Sequence, residues 1–238
     1  MSLLHYIDNE LGAFGQWDAI EQSGGSITQV MDAASLRGRK TLRINITSAL
    51  GRANVKKNIA APSPGATLGY SLRFRVNVAR FGFTMAEMLS TGSDQQLVLA
   101  TSADSVYHVY STTDSDGWPG LIVPGVSVGR WIQMACLLRR ATANGVADGW
   151  FRLYINGKMI GQVSNHANFN AAGRINRLVA GVPWNGQVGM NYDLDEIKVG
   201  HTLADLQPYR PWQQGTWTAS TQPATVPGLF GAYRETRK

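Results

Sequence analysis

The segment from Asp148 to Ile160 constrains the fold more than any other part of the chain. It reads Asp-Gly-Trp-Phe-Arg-Leu-Tyr-Ile-Asn-Gly-Lys-Met-Ile. An alternating strand therefore meets a two-residue Asn-Gly turn, and a return strand follows. Asn-Gly between alternating hydrophobic residues is the strongest short-range signal for a β-hairpin, because both turn residues tolerate positive φ. The segment predicts a β-rich chain with an antiparallel hairpin at this position.

The two-residue turn also predicts which residues of the hairpin lie opposite each other. The expected pairs are Ile155 with Lys158, Tyr154 with Met159 and Leu153 with Ile160. These pairs place two sets of side chains on opposite faces: Phe151, Leu153, Ile155 and Ile160 on one, and Trp150, Arg152, Tyr154 and Met159 on the other.

Alternating segments continue along most of the chain, and the clearest is Tyr70–Val78, where every second residue is large and apolar. The 26 glycines suit a fold with many tight turns. Helices are predicted only at Ala33–Arg37 and His201–Leu206. We therefore predict an all-β, two-sheet antiparallel sandwich. The other predicted strands are Ile27–Val30, Leu42–Ile46, Met85–Ser90, Leu97–Thr101, Val106–Ser111, Gly129–Arg140, Ile175–Val182 and Tyr192–Val199.

The chain changes character after Gly200. Residues 207–228 are rich in Pro, Thr, Ser and Gln and show no apolar periodicity. We predict a sandwich domain over residues 1–200 and an extended anchoring arm over residues 201–238. The arm carries four aromatic residues that we expect to anchor it on other protein chains: Trp212, Trp217, Phe230 and Tyr233.

The net charge, the single cysteine and the lack of long apolar runs bear on the partners and the location that this chain could have. The net charge is +6, and much of the excess lies between Arg37 and Lys57, where no acidic residue occurs. This segment predicts either a surface for an anionic partner or a solvated basic face. Cys136 alternates with apolar residues, which indicates a core thiol. The first residues show no secretory signal, and no apolar run reaches the roughly 18 residues of a membrane span.

Three sequence pieces together resemble the concanavalin A-like lectin/glucanase and laminin G-like superfamily. They are Gly129-Arg-Trp-Ile-Gln-Met, the hairpin at 148–160, and Asp193-Leu-Asp-Glu-Ile-Lys-Val. The resemblance covers roughly residues 8 to 200 and implies a jelly-roll sandwich. It implies no particular chemistry, because the same scaffold carries many functions.

In some members of this superfamily a structural Ca²⁺ lies near the closing strand. Asp193 and Asp195 alternate in phase with Ile197 and Val199, so we expect these carboxylates to point inward. The resemblance then implies that Asp195 and Asp8 hold the ion. The alternative is a carboxylate bonded to backbone amides or to an arginine. Asp114-Ser-Asp-Gly117 is interpreted as a turn, because the glutamate that a calcium loop requires does not follow.

Catalytic motifs of the superfamily are missing. The sequence contains neither the Glu-x-Asp-x-(x)-Glu strand of its glycosidases nor the Gln-Ile/Val-His and Tyr-Phe-Lys-x-Gly strands of its lyases. The nearest fragment is Val106–Tyr110, in which His108 and Tyr110 are expected to share one face of a strand. We therefore predict no catalytic residues and no cofactor beyond a structural Ca²⁺.

Aromatic residues provide the remaining functional signal. Trp118 and Trp184 stand in predicted loops, and Trp150 and Tyr154 share one face of the hairpin. Tryptophan and tyrosine rings stack well on sugars and on protein partners. All four are candidate carbohydrate-binding residues. The alternatives are that the loop tryptophans fold back as lids and that the hairpin aromatics lie under a covering loop.

These observations favour a non-catalytic structural or attachment protein of a phage virion. It would be a capsid decoration or tail-associated protein, held through its arm in an oligomer or larger assembly, and its lectin-like domain would bind glycans. The main alternative is a carbohydrate-binding module at the cell surface or outside the cell. A divergent polysaccharide lyase or glycoside hydrolase is a third. No specific binding of nucleic acid is predicted, since no basic cluster contains stacking aromatics.

Overall fold

The computed structural model describes residues 5–7, 15–31, 40–78, 84–90, 95–101, 107–115 and 117–207. Within these ranges the chain forms fifteen strands and two short helices. The strands are β1 (His5–Ile7), β2 (Ala19–Ser23), β3 (Gly25–Met31), β4 (Lys40–Ile46), β5 (Gly51–Asn58), β6 (Thr67–Val78), β7 (Thr84–Leu89), β8 (Gln95–Thr101), β9 (Tyr107–Ser111), β10 (Gly120–Ile122), β11 (Trp131–Arg139), β12 (Gly149–Ile155), β13 (Lys158–His166), β14 (Arg177–Gly186) and β15 (Asn191–Gly200). The helices are α1 (Phe169–Gly173) and α2 (Leu203–Leu206).

The strands form two antiparallel sheets, which confirms the predicted all-β jelly-roll sandwich. The eight-stranded sheet has the order β13-β12-β11-β6-β15-β4-β3, with β1 paired beside β15. The seven-stranded sheet has the order β10-β9-β8-β7-β14-β5-β2. Within the described residues, no helix is long and apolar enough to cross a membrane.

One core lies between the sheets and follows the alternation of the strands. On β6, Tyr70, Leu72, Phe74 and Val76 point into this core, and the intervening polar residues point away from it. The predicted core thiol, Cys136, is fully buried opposite Tyr70 on the neighbouring strand. Burial raises the pKa of the Cys136 thiol, so it stays protonated and unreactive.

The predicted hairpin is present, with one correction to its register. Asn156 and Gly157 have φ of 51° and 83°, as an Asn-Gly turn requires. Tyr154 pairs with Met159 as expected, but Leu153 pairs with Gly161 and not with Ile160. A β-bulge at Ile160 inserts one extra residue on β13 and moves the Ile160 side chain out of the core, where it is 41% exposed.

A second bulge overturns the predicted inward orientation of Asp193 and Asp195. Asp195 pairs with Arg73 and Lys198 pairs with Ser71. Between these two pairs β15 advances by three residues and β6 by two, so β15 contains one extra residue. Glu196 lies in this bulge with φ of 46°. Tyr192 and Leu194 before the bulge and Ile197 and Val199 after it all reach the core. The two aspartates therefore point to the outer face of the eight-stranded sheet.

The second of the two described helices packs onto the same outer face. Helix α2 lies within the predicted helical stretch His201–Leu206, and Thr202 and Asp205 form a capping box at its start. Its Leu206 is buried against Ala135, Leu137 and Tyr154. The predicted helix at Ala33–Arg37 lies outside the described residues. So do the four aromatic residues expected to anchor the arm, which are Trp212, Trp217, Phe230 and Tyr233.

Candidate functional site

A row of paired residues crosses the whole outer face of the seven-stranded sheet. Directly paired residues share a face, so this row can be read from the strand register. It runs from β2 to β10 through Ala19, Lys56, Val179, Glu87, Val98, Tyr110 and Gly120. The residues adjacent to Val98 and Val179 along their strands, Leu97, Leu99, Leu178 and Ala180, pack in the core, which confirms that the row faces outward. We call this row the cross-strand row.

Glu87 lies at the centre of the cross-strand row and is completely buried. Its Oε1 accepts a hydrogen bond from Trp184 Nε1 at 3.0 Å, and its Oε2 accepts one from Gln95 Nε2 at 2.5 Å. Burial raises the pKa of the Glu87 carboxyl above its ordinary value, although both hydrogen bonds and the nearby charge of Lys56 act to lower it. The site thus holds an acid that resists ionisation.

The position of Trp184 depends on an irregularity near the end of β14. Pairing between β14 and β5 shifts between Val182 and Gly186, and Trp184 lies within this interval. The Arg52 guanidinium lies 5.3 Å from the centroid of the Trp184 ring. Trp184 is therefore part of a strand and not of the predicted loop. The Trp184 side chain lies between Arg52, near the start of β5, and the buried Glu87.

One carboxylate, that of Glu21, is shared by two cations at the β2–β5 side of the face. Glu21 Oε1 lies 3.3 Å from Arg52 Nη1, and Glu21 Oε2 lies 2.9 Å from Lys56 Nζ. Asn54 Nδ2 also donates to Oε2, at 3.1 Å. Burial acts to raise the pKa of Glu21, but hydrogen bonds from Lys56, Asn54 and Arg52 lower it below its ordinary value.

Aromatic rings form the opposite end of the face. His108 and Tyr110 share the outward side of β9, as predicted, and their rings stack with centroids 5.3 Å apart. The next strand carries Gly120 opposite Tyr110, and a Cβ at this glycine would lie 2.7 Å from the tyrosine ring. Gly120 therefore leaves the space that the Tyr110 ring occupies.

Glu87→Gln is expected to be more stable than the wild-type protein at high pH and about equally stable at low pH. Because the folded-state pKa of Glu87 is raised, its contribution is most favourable below the unfolded pKa and is lost as the pH increases through the folded pKa. Glutamine keeps an acceptor for Trp184 without carrying a charge. Thermal unfolding at pH 4 and pH 8 should show a higher Tm for the variant at pH 8 and little difference at pH 4. An equal shift in Tm at both pH values would contradict the assignment of Glu87 as a buried carboxyl with a raised pKa.

The outer face of the eight-stranded sheet carries a closed ion-pair network. Asp193 is completely buried and accepts hydrogen bonds from Arg43 Nε at 2.8 Å and from Arg75 Nη2 at 2.5 Å. Arg73 Nη1 lies 3.7 Å from Asp195 Oδ2. The guanidinium groups of Arg73 and Arg75 each lie 4.9 Å from the centroid of the Trp131 ring. The basic side chains thus neutralise the aspartates.

The described residues offer no further ligand for the predicted calcium site beside Asp195. Asp195 faces Arg73, and Asp8 lies outside the described ranges. In those ranges no group of three His, Cys, Asp or Glu side chains is placed to hold a metal ion. Asp114, in the segment interpreted as a turn, accepts backbone hydrogen bonds from Asn170 at 2.9 Å and Ala171 at 2.8 Å.

The four aromatic residues predicted to bind carbohydrate are not brought together. Trp184 lies on the outer face of the seven-stranded sheet, beside Glu87. Tyr154 is buried under α2 on the other sheet, and Trp150 packs against the same cluster with Arg152 4.0 Å from its ring centroid. Trp118 precedes β10 and is 45% exposed. Of the four, Trp184 is the one that the cross-strand row places next to charged and hydrogen-bonding groups.

Sequence reasoning did not identify Glu87 or Glu21, and it placed Lys56 only within the basic segment between Arg37 and Lys57. A signal for Glu87 was present, because it is the only charged residue in the strand Thr-Met-Ala-Glu-Met-Leu, and a lone acid in an apolar strand needs a reason. Glu21 carries no comparable signal, and the basic segment does not show that Lys56 lies beside it. Their proximity follows from the pairing of β2 with β5.

Three solved structures illustrate the similarity of this fold to known proteins. Endo-β-1,4-glucuronan lyase from the fungus Trichoderma reesei has a TM-score of 0.67 and 17% identity, over 88% of this chain and 100% of that chain. Cellulose induced protein Cip1 has a TM-score of 0.58 and 16% identity, over 83% of this chain and 97% of that one. The botulinum neurotoxin serotype D binding domain has a TM-score of 0.58 and 11% identity, over 86% of this chain and 49% of that chain.

These similarities show a jelly-roll β-sandwich fold. The present chain spans about half the length of the neurotoxin domain and the whole length of the lyase. No protein-family model matches the chain, and no curated protein matches it in sequence. The likeness therefore defines the scaffold, and the chemistry has to be argued from the side chains.

Proposed function

We propose that this protein is a non-catalytic carbohydrate-binding domain and that sugars bind along the cross-strand row. One observation carries the proposal. The row places the partly exposed Lys56 and Tyr110 on one outward face, and the buried Glu87 between them holds the partly exposed Trp184 by a hydrogen bond. Charged, hydrogen-bonding and aromatic groups on one sheet face are the groups that recognise a polyhydroxylated ring.

The dimensions of the face suit an extended ligand. Four strand spacings separate Lys56 from Tyr110, which at about 4.8 Å each gives about 19 Å. Trp184, His108 and Tyr110 are all partly exposed. A chain of several sugar residues lying across the strands would therefore meet Lys56 at one end and stacked aromatic rings at the other.

The residues around Glu87 favour binding over catalysis. Glu87 is completely buried, and both of its oxygens accept hydrogen bonds, from Trp184 and Gln95. A general acid or base must come within hydrogen-bond reach of the reacting group of the substrate, so these contacts support a role in positioning Trp184. The names of two structures of similar fold, a glucuronan lyase and a cellulose induced protein, give support for a saccharide ligand.

Trp184→Ala is expected to abolish most carbohydrate binding. The substitution removes the aromatic surface and the hydrogen bond to Glu87 together, so we expect affinity to fall at least tenfold, or about 1.4 kcal/mol. A glycan array would identify a ligand, and titration calorimetry would compare the variants. Trp118→Ala tests the loop tryptophan separately and should retain binding. Loss of binding in Trp118→Ala alone would move the site to that loop.

The same polysaccharides also test for catalysis. We expect no new chain ends after prolonged incubation with the protein. His108 and Tyr110 are the residues that favour the alternative of a lyase, because their rings stack on the candidate face. Chain cleavage that disappears in His108→Ala would replace the binding proposal with an enzymatic one.

The finer interpretation, a phage virion component anchored through residues 201–238, remains a prediction. It depends on the four aromatic residues of the arm, which lie outside the described ranges. None of the names of the similar structures given above mentions a virion. A carbohydrate-binding face on the seven-stranded sheet is compatible with an attachment role and does not require one.

A further inference from the structure

Among the residues that the structure describes, the charges at the β2–β5 side of the candidate face do not balance. Arg52 and Lys56 share one carboxylate, that of Glu21, so the three groups together carry one net positive charge. Their side chains are 44%, 27% and 30% exposed, respectively. Exposed ion pairs are worth at most about 1 kcal/mol. A competing anion could therefore displace Glu21 at little cost.

The donors around Glu21 are arranged for a planar carboxylate. Arg52 engages one oxygen at 3.3 Å, while Lys56 and Asn54 engage the other at 2.9 Å and 3.1 Å. A guanidinium and an amide spaced in this way match a two-oxygen ligand. Glu21 thus occupies the position that a carboxylate from a bound molecule would take.

The same two cations adjoin the rest of the candidate site. Lys56 belongs to the cross-strand row and its charge acts on Glu87, two strands away. Arg52 lies over the ring of Trp184, which in turn donates to Glu87. A sugar ring placed by Trp184 would therefore bring a substituent within reach of Arg52 and Lys56.

We propose that the ligand is an acidic polysaccharide whose uronic acid carboxylate replaces Glu21 at Arg52, Lys56 and Asn54. This inference rests on the proposed function and specifies its ligand class. Neutral sugars would leave the surplus positive charge uncompensated. Displaced Glu21 would lie at the edge strand β2, where solvent can hydrate its carboxylate.

A matched pair of ligands tests the inference. Polyuronates, such as polygalacturonate and alginate, would be compared with their methyl esters, which keep the backbone and lose the charge. We expect the free acid to bind at least tenfold more tightly than the ester, with affinity falling as salt rises. Arg52→Gln should remove most of this preference. Glu21→Gln should increase affinity for the free acid, because it removes the competing carboxylate.

Arg152→Gln is the matched control, because Arg152 also lies over a tryptophan ring, that of Trp150, but on the other sheet. It should leave binding unchanged, and thermal unfolding should confirm that all three variants fold. Equal binding of acid and ester would overturn the inference and leave the proposed function standing. Binding of neither would overturn both. Equal affinity for polyglutamate or single-stranded DNA would also overturn it, since charge alone would then explain binding.

Discussion

Asp193→Asn is expected to lower the free energy of unfolding by about 3–5 kcal/mol, the usual cost of breaking a buried ion pair from one side. Asp193 is completely buried, and Arg43 and Arg75 both donate to its carboxylate. The substitution would leave two guanidinium groups facing a neutral amide. Urea unfolding monitored by tryptophan fluorescence measures the loss directly.

Asp18→Asn provides the control for Asp193→Asn. Asp18 forms an ion pair with Lys57 at 3.0 Å, but both side chains are partly exposed, so its loss should cost no more than about 1 kcal/mol. Burial acts to raise the pKa of Asp193, while Arg43, Asn77 and Arg75 lower it below its ordinary range. Its stabilising effect should therefore persist above the unfolded pKa and fade as the pH falls. Equal losses in the two variants would contradict the assigned network.

Acidification from pH 6.5 to pH 4 is expected to cost the protein about 3 kcal/mol through a single group, His166. Burial lowers the pKa of His166 to about 4, although the Asp114 carboxylate acts to raise it. Its Nε2 lies 2.8 Å from Ser111 Oγ, and Phe151 packs edge-on against the ring. The unfolded chain takes up a proton near pH 6.5 and the folded chain does not, so stability falls through this window.

His166→Gln should remove that part of the acid sensitivity. Glutamine can still hydrogen-bond to Ser111 and does not titrate, so the difference between wild type and variant should grow steadily from pH 7 to pH 4. A pH profile unaltered by His166→Gln would show that the buried histidine is not the sensitive group.

The sequence was sufficient for the scaffold because its strands obey simple alternation. The hairpin turn, the apolar face of β6 and the core position of Cys136 all follow from local pattern, and the structure contains each of them. The strand β5 was not predicted, because Gly-Arg-Ala-Asn-Val-Lys-Lys-Asn places small and polar residues where large apolar ones are expected. Its Ala53 and Val55 nevertheless reach the core through pairing with β14.

The bulges at Ile160 and Glu196 escaped sequence reasoning for one physical reason. A single inserted residue reverses which side chains face inward, and strand periodicity alone gives no sign of it. The insertion at Glu196 turned Asp193 and Asp195 outward, and the insertion at Ile160 exposed that side chain. The candidate site is even harder to predict from the sequence. Glu21, Lys56 and Glu87 are brought near each other only by the pairing register of four strands.

The packing of α2 gives the sandwich a front and a back. The described chain passes Leu206 and Gln207 on the outer face of the eight-stranded sheet, where Lys198 Nζ donates to the Gln207 carbonyl. The cross-strand row lies on the opposite side of the molecule. A partner that contacted the outer face of the eight-stranded sheet beside α2 would therefore leave the cross-strand row open to a ligand. Several copies held together in this way would bind one long polymer more tightly than a single copy does.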